Sequence, residues 1–236
     1  MRPIFQVKIC GVTTAADALV AADAGADAVG LNFVPGSPRA LDPAMASGVA
    51  AAVPRGVLRV GVFAGAPAGW ILEVAATVGL DAVQLHGPLF PSADAAASVD
   101  PPEACAALAP LPVIRAVRLD AGGLAAARRW IALATAAGRG PVLAIVDASP
   151  PAGAGAGQLG GTGARVDWEG LRRAGGLDVP LALAGGLTPG NVAEAVRATG
   201  CAAVDVASGV EAAPGRKDPA KTRAFVAAAR AALGLG

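Results

Sequence analysis

Short runs rich in Val, Ile, Leu and Phe recur along the chain, each bounded by Gly, Pro or Asp, and each reads as a strand. They fall at 4–10 (IFQVKIC), 27–33 (DAVGLNF), 57–63 (VLRVGVF), 81–86 (DAVQLH), 112–118 (PVIRAVR), 141–147 (PVLAIVD), 179–184 (VPLALA) and 201–207 (CAAVDVA). Alanine-rich stretches of helical length lie between and after them, near 13–24, 43–53, 67–78, 91–109, 122–137, 167–175, 188–198 and 218–233. Alanine is the best helix former, so these stretches predict helices. Capping residues precede several of them: Thr13 ahead of Asp17, Asp42 before Pro43 and Thr188 before Pro189. Eight strands thus alternate with eight helices. Each helix returns the chain to the same end of the sheet, which makes the strands parallel. The expected fold is α/β, a single-domain (β/α)8 barrel over 1–236, close to the roughly 250 residues such barrels take. The competitor, a doubly wound open sheet, carries its Gly-rich fingerprint after the first strand. Here that place holds CGVTTA, and the Gly-rich turns come after the sixth, seventh and eighth strands.

Composition narrows the class. The chain is 54% hydrophobic and 16% charged, with 32 Gly and 19 Pro. That glycine and proline content stays below the roughly 25–30% that marks low-complexity chains. The mean hydropathy of +0.56 raises the question of a membrane span, which needs about 20 apolar residues in a row. No stretch qualifies: 148–164 is mostly Gly, Pro and Ala, and 179–193 is broken by Pro180, Gly185, Gly186 and Pro189. The N-terminus lacks the apolar core of a signal peptide, so the cytoplasm is the expected location. A net charge of +1 without a concentrated basic face argues against a nucleic-acid partner. Three cysteines, Cys10, Cys105 and Cys201, cannot all pair, which fits a reducing compartment. The single histidine, His86, excludes a histidine-rich metal site.

In a barrel the site sits at the C-terminal ends of the strands. Those ends offer Lys8 and Cys10, Asn32 with Arg39 in the next loop, Gln84 and His86, Arg115, Asp147, and Asp205 followed by Ser208 and Gly209. Side chains repeat every two residues along a strand, so Lys8 and Cys10 share a face. A thiol at Cys10 and a carboxyl at Asp147, converging from nearly opposite sides of the mouth, can form an acid–base pair. Each residue also has a plainer reading. A free cysteine is usually buried and inert, an aspartate at a strand end often caps the next loop, Arg39 could be a surface charge, and His86 could be structural. The turns GGTG (160–163), AGGL (184–187) and ASGV (207–210) say more together. Glycine lets backbone N–H groups approach an anion closely, and three such turns on one rim suit a phosphate.

The segments VKICGVT (7–13), DAVGLNFVPGSPR (27–39), GVF (61–63), VQLHG (83–87), VDA (146–148), GGTG (160–163), LAGGLTPGNV (183–192) and VDVASGVEAAPGRKD (204–218) occur in this order from end to end. In this the chain resembles the phosphoribosylanthranilate isomerase family of tryptophan biosynthesis. The resemblance implies an Amadori rearrangement of N-(5′-phosphoribosyl)anthranilate, with no metal or organic cofactor. It makes Cys10 the general base, Asp147 the general acid and Arg39 the holder of the anthranilate carboxylate. It makes Gly161, Thr162, Gly163, Gly185, Gly186, Ser208 and Gly209 the phosphate site. Lys8, His86 and Asp205, from the same strand ends, are expected to line the substrate.

The chemistry adds three expectations. Asp147 can protonate the ring oxygen only if burial raises its pKa. Cys10 acts as thiolate, and Lys8 is a candidate to lower its pKa. Lys8 and Asp205, on neighbouring strands, are expected to pair. The segments 88–104 and 149–158 look longer than the family's usual loops. A small-molecule substrate and a monomer or homodimer complete the expectation. Other sugar-phosphate barrel isomerases and an inactive binding barrel are the alternatives. The lone histidine, the presence of only Lys8, Lys217 and Lys221 as lysines, and Cys10 at the end of the first strand stand against them.

Overall fold

The computed structural model describes residues 1–90, 99–148 and 166–235. Eight parallel strands close into a barrel in sequence order. They are β1 (Val7–Cys10), β2 (Ala28–Asn32), β3 (Leu58–Phe63), β4 (Ala82–Leu85), β5 (Val113–Arg118), β6 (Leu143–Asp147), β7 (Leu181–Leu183) and β8 (Ala203–Val206). The helices are α1 (Ala15–Asp23), α2 (Pro43–Ala51), α3 (Ala68–Val78), α4 (Ala104–Ala107), α5 (Ala125–Ala136), α6 (Trp168–Ala174), α7 (Val192–Thr199) and α8 (Pro219–Ala232). The expected (β/α)8 barrel is the architecture found. Among the described residues, no helix is long and apolar enough to cross a membrane.

Both faces of each strand are buried, which is why the strands read as nearly continuous apolar runs. Alternate residues form two separate cores. Val7, Ile9, Val29, Leu31, Val83 and Val204 face the helices. Ala28, Val60, Ala82, Ile114, Leu143 and Ala182 fill the barrel interior. Phe5 belongs to the interior core, with Ile4 and Leu58 packed against it. This explains why β1 begins three residues later than the apolar run predicts. Residues 4–6 lie before the strand rather than in it, and the N–H groups of Gln6 and Val7 donate to the Asp27 carboxylate.

Several local expectations change. The cap of α1 is Thr14, whose hydroxyl accepts from the Asp17 N–H at 3.1 Å. Thr13 is committed elsewhere, donating its hydroxyl to the Gly215 carbonyl. Asp42 caps α2 as expected, accepting from the Met45 N–H at 2.8 Å. Thr188 does not cap α7: the helix starts at Val192, and the Asn191 side chain instead accepts from the Thr188 N–H at 2.7 Å. Of the helix expected over 91–109, the described part is helical only at Ala104–Ala107. Residues 91–98 lie outside the described residues, and Pro101 and Pro102 supply no N–H to a helix there. One element was not foreseen. A two-stranded antiparallel hairpin, β9 (Glu211–Ala213) and β10 (Arg216–Lys217), follows β8 after a single 3-10 turn at Ser208–Val210.

Candidate active site

The inward-facing residues at the end of β1 are Lys8 and Cys10. Lys8 lies directly opposite Asp205 in the pairing of β1 with β8. Its ammonium donates to Asp205 Oδ1 at 2.9 Å, and Lys8 has no exposed surface. The expected pair is therefore present. A buried ammonium needs such a partner. Burial alone would lower the Lys8 pKa, but chiefly the charge and hydrogen bond of Asp205 outweigh it and hold the group above its ordinary 10.5. Gly30, beside Cys10 on β2, makes this packing possible. A Cβ there would stand 2.7 Å from Cys10 Sγ and 3.2 Å from Lys8 Cε.

Cys10 is half-buried. Burial pushes its thiol above 9.0, and Lys8 opposes this without overcoming it. Lys8 thus does what was expected of it, but it does not win. Asp147, at the end of β6, departs further from expectation. Burial favours its neutral acid, yet the hydrogen bond and charge of His86 and the N–H of Ala148 together hold it below 3.8. His86 Nε2 stands 3.5 Å from Asp147 Oδ2, and the Ala148 N–H donates to Oδ1 at 2.8 Å. The expected rise is corrected to a fall because the carboxylate is hydrogen-bonded as well as buried. Beside His86, Gln84 projects into the interior from β4, its Nε2 3.4 Å from His86 Nδ1. Its buried Oε1 has no partner among the described residues.

Arg39 is gripped by the hairpin. Its Nε donates to Glu211 Oε1 at 2.8 Å and its Nη2 to Glu211 Oε2 at 2.7 Å. These forked bonds, with burial opposing them, push its pKa up from its ordinary value. Its Nη1 hydrogen-bonds no described residue. Arg39 passes directly over Gly11, where any Cβ would collide with its Cδ. The glycine after Cys10 therefore makes room for the arginine.

The turns after β7 and β8 adjoin on the rim. Among the described residues, the N–H groups of Gly185, Gly186, Ser208 and Gly209 find no backbone acceptor. Gly185 and Gly186 have φ values of +77° and +63°, which side-chain-bearing residues rarely adopt. Gly209 is required for another reason: a Cβ there would run into the Leu187 carbonyl oxygen of the neighbouring turn. These glycines thus serve the packing of turn on turn as well as any ligand. Gly161, Thr162 and Gly163, together with the loop 149–158, lie outside the described residues. Gly209→Ala is expected to destabilise the fold by about 1–3 kcal/mol, as overpacking does. It is also expected to weaken phosphate competition. Urea unfolding and inhibition by inorganic phosphate check the two effects.

Arg115 is not part of the mouth. It sits on the helix-facing side of β5, next to Ile114 of the interior, with Trp130 of α5 stacked 4.9 Å away. Its guanidinium donates to the carbonyls of Leu85 and Gly87, each at 2.6 Å, and to Asp100 at 3.1 Å. Asp100 in turn accepts from the N–H groups of Gly65 and Gly87. This buried network ties down the chain on either side of His86. Glu211, Lys217, Gly11 and Gly30 carry no assigned role in the sequence reading. Glu211 and Lys217 stood within the quoted VDVASGVEAAPGRKD segment, but nothing local said that their side chains meet Arg39.

Residues 7–228 match the family model for N-(5′-phosphoribosyl)anthranilate isomerase. The chain is 43% identical to the N-(5′-phosphoribosyl)anthranilate isomerase of Myxococcus xanthus, covering 95% of this chain and 96% of the relative. Two solved structures are similar. One is of monomers generated from the dimeric phosphoribosylanthranilate isomerase of Thermotoga maritima. It has a TM-score of 0.74 and 32% identity, over 96% of this chain and 99% of that one. The other is a phosphoribosylanthranilate isomerase in complex with reduced 1-(o-carboxyphenylamino)-1-deoxyribulose 5-phosphate. It has a TM-score of 0.73 and 33% identity, over 96% of this chain and 99% of that one.

Proposed function

The chain belongs to the N-(5′-phosphoribosyl)anthranilate isomerase family, and from that premise we propose that it converts N-(5′-phosphoribosyl)anthranilate to 1-(2-carboxyphenylamino)-1-deoxyribulose 5-phosphate. The observation that carries the reading is the arrangement on one rim. A thiol over a buried lysine, a carboxyl beside histidine, an arginine with one nitrogen open among the described residues, and two turns whose N–H groups meet no described backbone acceptor stand there.

In this reading Asp147 gives a proton to the ribose ring oxygen, the ring C–O bond breaks and an iminium forms. Cys10 thiolate removes the proton from C2, and the C2–H electrons form the enolamine. Tautomerisation gives the ketone, so the net change is an isomerisation. Arg39 presents Nη1 to the anthranilate carboxylate while Glu211 holds its other two nitrogens. Gly185, Gly186, Ser208 and Gly209 offer N–H groups to the phosphate, and Gly161, Thr162 and Gly163 are assigned the same role. Gln84 Oε1 is an acceptor suited to a ribose hydroxyl, and His86 exchanges the proton with Asp147. Lys8 and Asp205 act from beneath Cys10, since Lys8 has no surface to offer a ligand. A small-molecule substrate, a cytoplasmic location and a monomer or homodimer go with this reading.

The two pKa directions bear on the mechanism. Cys10 lies above 9.0 and Asp147 below 3.8, so the resting pair is thiol and carboxylate. The reactive pair, thiolate and carboxylic acid, carries the same number of protons. Between the two pKa values its fraction is therefore small but independent of pH. Turnover of freshly made substrate without added metal tests the function. The kcat/KM profile, corrected for the substrate's own phosphate titration, is expected to be flat across neutral pH. A narrow bell centred near neutrality would contradict the proton assignment.

A further inference from the structure

The hairpin after β8 carries two buried charges that the acid–base steps do not use, Glu211 and Lys217. Lys217 Nζ donates to the Cys10 carbonyl at 2.7 Å, the Ala207 carbonyl at 3.2 Å and Glu211 Oε1 at 2.9 Å. An ammonium has three donors, and all three are engaged. Its acceptors belong to three parts of the site. One is the peptide of the base itself, one precedes Ser208 of the phosphate turn, and one is the carboxylate that grips Arg39. The hairpin is itself anchored. The Lys217 N–H donates to Asp17 Oδ1 at 3.2 Å, and the Lys221 ammonium to the Glu211 carbonyl at 2.9 Å.

The charges of this cluster do not balance. Arg39, Glu211 and Lys217 are 8%, 8% and 3% exposed, and together they carry one excess positive charge. Buried charge is unfavourable unless a partner completes it. The open position is Arg39 Nη1, which faces no acceptor among the described residues. Of the other charged groups nearby, Lys8 of β1 and Asp205 of β8 are paired with each other, and the buried Asp17 of α1 accepts from the Lys217 peptide N–H, not from its ammonium or from Arg39. None of them hydrogen-bonds Arg39 Nη1.

We propose that Lys217, working through Glu211, is a positioning residue that sets Arg39 and Cys10 against the turn after β8, and that the substrate's carboxylate is the anion this cluster lacks. The proposal rests on the isomerase reading for the identity of that carboxylate. Lys217 touches no substrate; it acts through Arg39 and through the peptide of Cys10. The Lys217 charge, passed through the Glu211 carboxylate to Arg39, then supports the preference for a carboxylated ligand.

The test uses two stable ligands measured by calorimetry: the reduced product and its counterpart without the carboxylate. Wild type should prefer the carboxylated ligand. Lys217→Met makes the cluster neutral and should narrow that preference about tenfold or more, the worth of a charge-assisted contact, while the other ligand binds nearly as before. Lys217→Arg should restore the preference. Glu211→Gln weakens the carboxylate link between Lys217 and Arg39 and should narrow it too. Alkylation of Cys10 by iodoacetamide, followed peptide by peptide, should show its apparent pKa rising in Lys217→Met. An unchanged preference in Lys217→Met, or equal weakening of both ligands, overturns the proposal. So does a Glu211→Gln variant that keeps the full preference, because the path from Lys217 to Arg39 runs through that carboxylate. If Lys217→Met does not fold, Glu211→Gln decides by the same criterion. Wild-type turnover reports separately on the isomerase reading, so either idea can fail without the other.

Discussion

Cys10→Ala is expected to lower kcat by roughly 10²–10⁴-fold, the usual share of a general acid–base group, while KM changes little. The substrate's fluorescence, lost on conversion, gives the rate. The reason lies in what surrounds the thiol. Gly30 leaves it room, Lys8 lies against it from below and Lys217 holds its peptide. Alanine fits this space without strain, so the loss reflects the missing base rather than a damaged fold. Cys10→Ser should fall nearly as far, because a hydroxyl is a far poorer source of anion than a thiol even beside an ammonium. Asp147→Asn should lose a comparable factor, since it keeps the shape but has no proton to give the ring oxygen. Near-normal turnover in Cys10→Ala would refute the base assignment. A large rise in KM with kcat preserved would move Cys10 from chemistry to binding.

The largest effect on stability is expected from Asp205→Ala, a loss of about 3–5 kcal/mol, the cost of leaving a buried charge without its partner. Lys8 would then remain in the barrel interior with no counter-ion. The pH dependence gives an independent check. In the wild type, Lys8 is held above 10.5, so the pair's stabilisation is intact at lower pH and is lost only as pH rises through that higher value. In Asp205→Ala, burial loses its main opponent and the folded-state pKa of Lys8 falls. The unfolded chain then binds the extra proton, so the variant's stability should rise with pH across the region below 10.5. Urea midpoints at two pH values measure this slope. A double variant, Lys8→Met with Asp205→Leu, should recover most of the stability, because an apolar pair of similar volume removes both desolvation costs. It should not recover activity if Lys8 supports the thiolate. Recovery of both would mean that the pair serves folding alone.

Much of this site was legible because its parts lie at strand ends. Alternation in IFQVKIC placed Lys8 and Cys10 on one face, and the order of strands placed Asp205 opposite Lys8. The register in the structure agrees with that inference. Asp147 and the glycine turns were found in the same way, from strand ends and turn chemistry. The protonation of Asp147 was misjudged because burial was weighed without its hydrogen bonds. His86 Nε2 and the Ala148 N–H come from another strand and from the next residue, and their geometry is not written in the spacing. Glu211 and Lys217 stood in a quoted motif, yet nothing local tells that a hairpin folds back over Arg39. In the helix expected near 91–109, Pro101 and Pro102 keep the described residues 99–103 out of the helix that alanine propensity predicts.

The sequence by itself determined the barrel, its strand order and the two groups offered for acid–base work. Those follow from local propensity and from periodicities that repeat along the chain. The charge balance at the mouth was decided only by the tertiary structure. Lys8 with Asp205, Arg39 with Glu211 and Lys217, and His86 with Asp147 join residues from about 60 to about 200 positions apart. Electrostatic and hydrogen-bond energies depend on distances of a few ångströms in space, and such distances exist only once the barrel has closed.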